Sequence, residues 1–148
     1  MINSTTNLRN ARFTRLPDFD DADGQCRSIQ RGPLFQLKLL QEVLRGGEFD
    51  TDRLLPANRD VLKDMRRERW TAHDVLQMLV NLLARDYAKS EWARIDSGRR
   101  WVACDVYQTF YDSLTRRRHR HAQPVYLKFS IDEAGDITIL LASCHGST

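Results

Sequence analysis

Two apolar runs in the last third of the chain constrain its fold most. In Pro124-Val125-Tyr126-Leu127-Lys128-Phe129-Ser130-Ile131, the odd positions are Val, Leu, Phe and Ile, and Tyr126, Lys128 and Ser130 stand between them. A period of two is that of a β-strand, whose side chains point alternately to opposite faces. One face of this strand is therefore apolar, and the other carries a phenol, an ammonium and a hydroxyl. A second run, Ile137-Thr138-Ile139-Leu140-Leu141-Ala142-Ser143-Cys144-His145, follows Glu133-Ala134-Gly135-Asp136. That spacer has the composition of a turn, so the two runs read as a hairpin. Both alternating sets from Ile137 to Ala142 are mostly apolar, so the pattern does not say which face His145 takes.

Upstream the period lengthens. From Pro33, the residues Leu34, Leu37, Leu40, Val43 and Leu44 recur at helical spacing, with Gly46-Gly47 beyond them. Pro near the start and Gly past the end mark an amphipathic helix. Asn58 to Arg69 predicts a second, charge-rich helix with Val61, Leu62 and Met65 on its apolar stripe. Thr71 caps a third, with Asp74 at the capping-box position and Val75, Leu76, Leu79, Val80, Leu82 and Leu83 turned inward. After Ala84 the stretches Tyr87 to Ile95 and Val102 to Phe110 suit strands, although Asp105 to Leu114 also fits a helix by period alone. Residues 1–32 show little periodicity and hold an acidic cluster, Asp18, Asp20, Asp21 and Asp23. They read as an arm, possessing the means to mask a basic face, ahead of one domain over 33–148.

A chain of 148 residues suffices for one domain, which at this size buries about 70% of its unfolded surface. No apolar run reaches the ~20 residues that span a bilayer, and the polar start from Met1 to Asn10 lacks a signal-peptide core, so a cytoplasmic protein away from membranes is expected. Cys26, Cys104 and Cys144 are an odd number without C-x-x-C or zinc spacing, which argues for reduced thiols rather than disulfides or a metal site. The net charge of +3 is unevenly spread. Residues 85–128 hold ten basic side chains against five acidic, whereas residues 33–84 balance at eight against eight. The excess would steer a polyanion to the later segment. No Gly-rich phosphate loop, G-x-S-x-G elbow or clustered acidic metal site is present, which speaks against nucleotide phosphoryl transfer and serine hydrolysis.

Three elements recur in order: Asp86-Tyr87-Ala88-Lys89-Ser90, Asp105-Val106-Tyr107 and Val125-Tyr126-Leu127-Lys128. In this order and spacing, they make residues 33–148 resemble the MqsR family of toxin-antitoxin ribonucleases, whose sheet is of the barnase and RelE-like type. The resemblance selects strands over a helix at 105–114. It implies an α+β fold with N-terminal helices packed on one face of a four-stranded, mainly antiparallel sheet and a site on the other face. It further implies a metal-independent endoribonuclease, an mRNA interferase cutting single-stranded mRNA without a cofactor, with a cognate antitoxin as protein partner.

Cleavage of RNA without a metal needs a base for the 2′-hydroxyl proton, a donor for charge building on the phosphate, and an acid for the leaving 5′-oxygen. Carried over by position, the resemblance implies that these tasks fall to Lys89, Cys104, Tyr126 and His145. Lys89 and Tyr126 match the family pattern directly. Cys104 stands where the family has a glutamine, a better donor and acceptor than a thiol, and Gln108 is a candidate substitute. His145 stands where a lysine is usual. An imidazole, with its ordinary pKa of about 6.5, suits proton exchange near neutrality. Arg116, Arg117, Arg118 and Arg120, with Lys128, read as RNA-phosphate contacts. His73, in a helix's first turn, reads as structural. The two departures leave a second reading open, a catalytically inactive RNA- or protein-binding module of the same fold.

Overall fold

Four long strands form the centre of the protein. The computed structural model describes residues 7–17, 27–47, 49–95, 100–133 and 136–147. Its elements are β1 (Ser28–Ile29), α1 (Leu37–Arg45), β2 (Leu54–Pro56), α2 (Arg59–Glu68), α3 (Ala72–Val80), β3 (Tyr87–Ile95), β4 (Arg100–Tyr111), β5 (Gln123–Asp132) and β6 (Thr138–Gly146). Strands β3 to β6 form an antiparallel meander; β1 pairs antiparallel with β3 and β2 pairs parallel with β6, giving the order β1-β3-β4-β5-β6-β2. The α+β expectation holds. The expected four strands are corrected to six, in a mixed sheet whose pairings are antiparallel except for β2 with β6. The two added strands span two and three residues, too short to show a period, and Pro56 disguises β2. Proline is tolerated there because an edge strand leaves one row of N–H groups unused.

Helices α2 and α3 begin where their caps predict, but α1 starts late and α3 ends at Val80, so Leu82 and Leu83 lie beyond it, the first buried and the second exposed, and Leu62 of α2 is exposed as well. Asn58 caps α2 through Oδ1, which accepts from Val61 N–H at 3.2 Å, and Thr71 and Asp74 form the capping box of α3. Helix α1 begins at Leu37 and not at Leu34. The N–H groups of Leu34 and Phe35 instead donate to the buried Asp105 carboxylate, at 2.8 and 3.0 Å. Residues 34–36 are kept out of the helix by an antiparallel bridge between Phe35 and Arg9, in which the Leu34 carbonyl accepts from Asn10 N–H and Gln36 N–H donates to the Leu8 carbonyl.

Helix residues Leu40, Val61, Val75, Met78 and Leu79 share one core with Tyr107, Tyr111, Val125, Leu127, Phe129, Ile139, Leu141 and Cys144 of the sheet. Removing a side chain such as the fully buried Leu127 from water contributes about 1.5–3 kcal/mol. A smaller cluster, Ala57, Ala93, Ile95, Cys104 and Ala142, lies on the other face and draws on no helix residue. Parts of the expected arm are built into the domain. Leu8 is fully buried, its carbonyl accepts from Gln36 N–H at 2.6 Å, and Ile29 of β1 joins the main core. Asp18, Asp20, Asp21, Asp23 and Cys26 lie outside the described residues. Among the described residues, no helix is long and apolar enough to cross a membrane.

Two irregularities set which side chains reach the face without helices. Tyr87 pairs with Tyr107 but Lys89 with Val106, so β3 carries one extra residue there. Lys128 pairs with Ser143 but Phe129 with Leu141, which leaves Ala142 as the extra residue of β6. Each bulge shifts the alternation by one. The first turns Tyr87 to the core and Lys89 to the open face. The second sends Ile139, Leu141 and Cys144 to the core, and Ser143 and His145 to the open face.

Candidate nucleic-acid interface

The register assembles the open face in rows. Gln108, Tyr126 and His145 align across β4, β5 and β6; Lys89, Val106, Lys128 and Ser143 form the next row across all four long strands. The Tyr126 and His145 rings are stacked, with centroids 5.0 Å apart and planes 9° from parallel. His145 Nδ1 lies 3.0 Å from the Gly146 carbonyl oxygen. Lys128 Nζ sits 5.8 Å from the centre of the Tyr126 ring, a cation–π distance. Between the two lysines lies Glu91, with Oε1 3.0 Å from Lys89 Nζ and Oε2 3.8 Å from Lys128 Nζ. The shorter contact is an ion pair whose angle falls short of a good hydrogen bond.

These neighbours decide protonation. Contact with the Glu91 carboxylate raises the Lys89 pKa, against the opposing effect of burial, and Tyr126 adds to the rise. Burial, then the Glu91 charge, raises the Tyr126 pKa, while Lys89 works the other way. At neutral pH the face thus presents an ammonium and a phenol, both donors. Neither is placed to take a proton.

Most other residues of the recurring elements are spent on the fold. Asp105 has no exposed surface and accepts from Leu34 and Phe35 N–H and, at 2.6 Å, from Ser90 Oγ. Burial raises its pKa, and those hydrogen bonds work against the rise. Tyr87 shares a 2.7 Å hydrogen bond with Ser90 and meets the Tyr107 ring edge-on. Gly32 passes so close to Tyr87 and Ser90 that a Cβ has no room there.

Of the four candidates, Lys89, Tyr126 and His145 share the open face. Cys104 belongs to that face too but is wholly buried beneath it, and burial pushes its thiol to about 12. A protonated, inaccessible thiol has no part in proton transfer to a bound substrate. Gln108 is exposed, directly opposite Tyr126.

The basic loop divides in two. Arg118 makes a two-point ion pair with Asp86, at 2.8 and 3.1 Å, and lies over the Phe110 ring. Arg116, in the left-handed conformation at φ 57°, approaches Asp74 at 4.0 Å. Asp74 in turn accepts from Tyr111 Oη at 2.6 Å. Burial raises the Asp74 pKa, but the bonds from Thr71 and Tyr111 and the Arg116 charge outweigh it and hold the carboxyl below its ordinary value. Arg118 therefore fixes the loop, while Arg117 and Arg120 remain exposed. His73 is exposed in the first turn of α3.

Glu91 is the residue that sequence reasoning missed. The signal was present, since positions i and i+2 of a strand share a face, which puts Glu91 beside Lys89. Among the described residues, no three His, Cys, Asp or Glu side chains gather as a metal-ligand set. Comparison with protein-family models, curated proteins and solved structures finds no match to this chain.

Proposed function

We propose that the protein is a metal-independent endoribonuclease of the MqsR type, cutting single-stranded mRNA in the cytoplasm and held in check by an antitoxin. The observation that supports this reading best is the meeting of Lys89, Tyr126 and His145, from three separate strands, on one helix-free face. In this reading His145 exchanges a proton with the ribose hydroxyl or the leaving oxygen. Lys89 and Lys128 stabilise the charge that grows on the phosphate, and Tyr126 donates to it or carries a stacked base. Arg117 and Arg120 extend the phosphate track, with the loop held in place by Arg118.

The test is incubation of purified protein with mixed-sequence RNA in EDTA, beside Lys89→Ala, Tyr126→Phe and His145→Ala. The expected result is cleavage by wild type and a fall of at least about tenfold in each variant, roughly 1.4 kcal/mol of barrier. RNA that is bound but stays intact would overturn the nuclease reading. It would favour the second reading, a binding module, which the burial of Cys104 supports.

A further inference from the structure

An acidic side chain on a face meant for a polyanion calls for an explanation. Glu91 is 9% exposed on the strand that carries Lys89. Across the strand pair it faces Cys104, and the floor around it, Cys104 and Val106, is wholly buried. As a lone carboxylate it would repel RNA and lose hydration in a largely apolar setting. Its compensation comes from two strands at once, through Lys89 on β3 and Lys128 on β5.

The two lysines stand on either side of Val106 in one row of the sheet. Two strand spacings separate them, roughly 10 Å between backbones, and nothing in the backbone holds their flexible stems together. The carboxylate does. It brings both ammonium groups within 4 Å of its own oxygens, at 3.0 and 3.8 Å. Lys128 is also against the Tyr126 ring, and Tyr126 against His145. A continuous line of contacts thus runs from Glu91 to the imidazole. The Lys89 side chain is 55% exposed while that of Glu91 is 11% exposed, so the carboxylate lies below and the ammonium above.

We propose that Glu91 is a positioning residue of this site, its carboxylate holding the Lys89 and Lys128 ammonium groups together as a two-point phosphate clamp. The inference rests on the RNA reading of the face. It differs from simple charge balance in its consequences. Without Glu91 the two like charges repel and their stems regain rotamer freedom, although the face becomes more positive. Binding and turnover then move in opposite directions.

The test is Glu91→Gln, with RNA Kd, kcat and KM measured beside a side-chain NMR titration of the lysine ε-carbons. The groups facing Glu91 that enter such a titration are Lys89, Lys128, Tyr126 and Cys104. The expected result is unchanged or tighter RNA binding, kcat lower by about tenfold, and a Lys89 titration moved to lower pH. Glu91→Asp, which keeps the charge on a shorter arm, should retain most of the Lys89 titration and part of kcat. An unchanged or raised kcat in Glu91→Gln would overturn the proposal and make Glu91 a counter-charge that restrains binding. A wild type that binds RNA without cutting it removes the nuclease reading alone. The lysine titration then still decides, because wild-type behaviour of Lys89 in both variants would overturn the clamp. If Glu91→Gln does not fold, Lys128→Met takes its place. Lys89 should then keep its raised titration through Glu91 while RNA affinity falls; loss of the raised titration overturns the proposal.

Discussion

Asp105→Ala gives the most direct test of the claim that the recurring elements build the fold rather than the chemistry. The carboxylate accepts from Leu34 N–H at 2.8 Å, Phe35 N–H at 3.0 Å and Ser90 Oγ at 2.6 Å, all inside the protein. In the variant Ser90 keeps Tyr87 as a partner, but the two backbone N–H groups are orphaned. At about 1–3 kcal/mol for each unsatisfied buried donor, the gross loss is about 2–6 kcal/mol. Removing a buried carboxylate returns part of this, since burial raises the Asp105 pKa and so makes its ionisation unfavourable in the fold. A net loss of about 3 kcal/mol is expected, or about 6–12 °C in Tm for a chain of this length. Denaturant melts should show a lower midpoint at unchanged slope, and amide exchange at Leu34 and Phe35 should accelerate. Asp105→Asn keeps one acceptor oxygen and should lose about half as much. The pH dependence has a definite sign. A carboxyl whose pKa is raised on folding contributes most below its ordinary value, and the contribution declines as pH rises through the folded value. The gap between wild type and Asp105→Asn should therefore be widest in acid and narrow toward neutrality. A melt of Asp105→Ala within about 1 kcal/mol of wild type would refute the reasoning. So would a loss equal to that of Lys89→Ala, whose half-exposed ion pair is worth about 0–1 kcal/mol.

Arg118→Ala leaves the buried Asp86 charge uncompensated and should cost about 2–4 kcal/mol in denaturant melts, whereas Arg117→Ala should leave stability within about 0.5 kcal/mol. Filter binding across a salt series should show Arg117→Ala weakening RNA and lowering the log–log slope by about 0.7. Tyr111→Phe removes the 2.6 Å bond to Asp74 and should cost about 1–2 kcal/mol at neutral pH. Because that carboxyl is held below its ordinary value, its contribution is present above that value and lost as pH falls through the folded one, so acid melts of wild type and variant should converge. Cys104 should resist alkylation at pH 8 in the native protein by peptide mass spectrometry, and Cys104→Ala should retain RNA cleavage; rapid labelling would place the thiol at the surface.

How much could be read from the residues differs by element. The period-two pattern of Val125 to Ile131 and the Thr71–Asp74 box are local, and both elements form where they predict. The start of α1 was not legible, because residues 34–36 pair instead with residues 8–10, and the Leu34 N–H is taken by a carboxylate 71 residues away in sequence. Of the candidate site, Lys89 and Tyr126 were found by their motifs. Glu91 was overlooked, though its spacing from Lys89 placed it on the same face. Arg118 read like its neighbours, and only its partner Asp86 separates it from them.

Local periodicity and capping chemistry thus determined the starts of α2 and α3, the C-terminal hairpin and most element bounds, since each depends on neighbours in the chain, while at 105–114 the period left strand and helix open. Tertiary pairing decided the rest. The bulges at Ala88 and Ala142 exist only where one strand meets another, and each reverses the facing of all that follows. His145 reaches Tyr126 through the second bulge, and the first sets Lys89 and Glu91 on the open face while Tyr87 turns to the core. The face on which a strand residue lands is a property of the register, and no single strand carries that information.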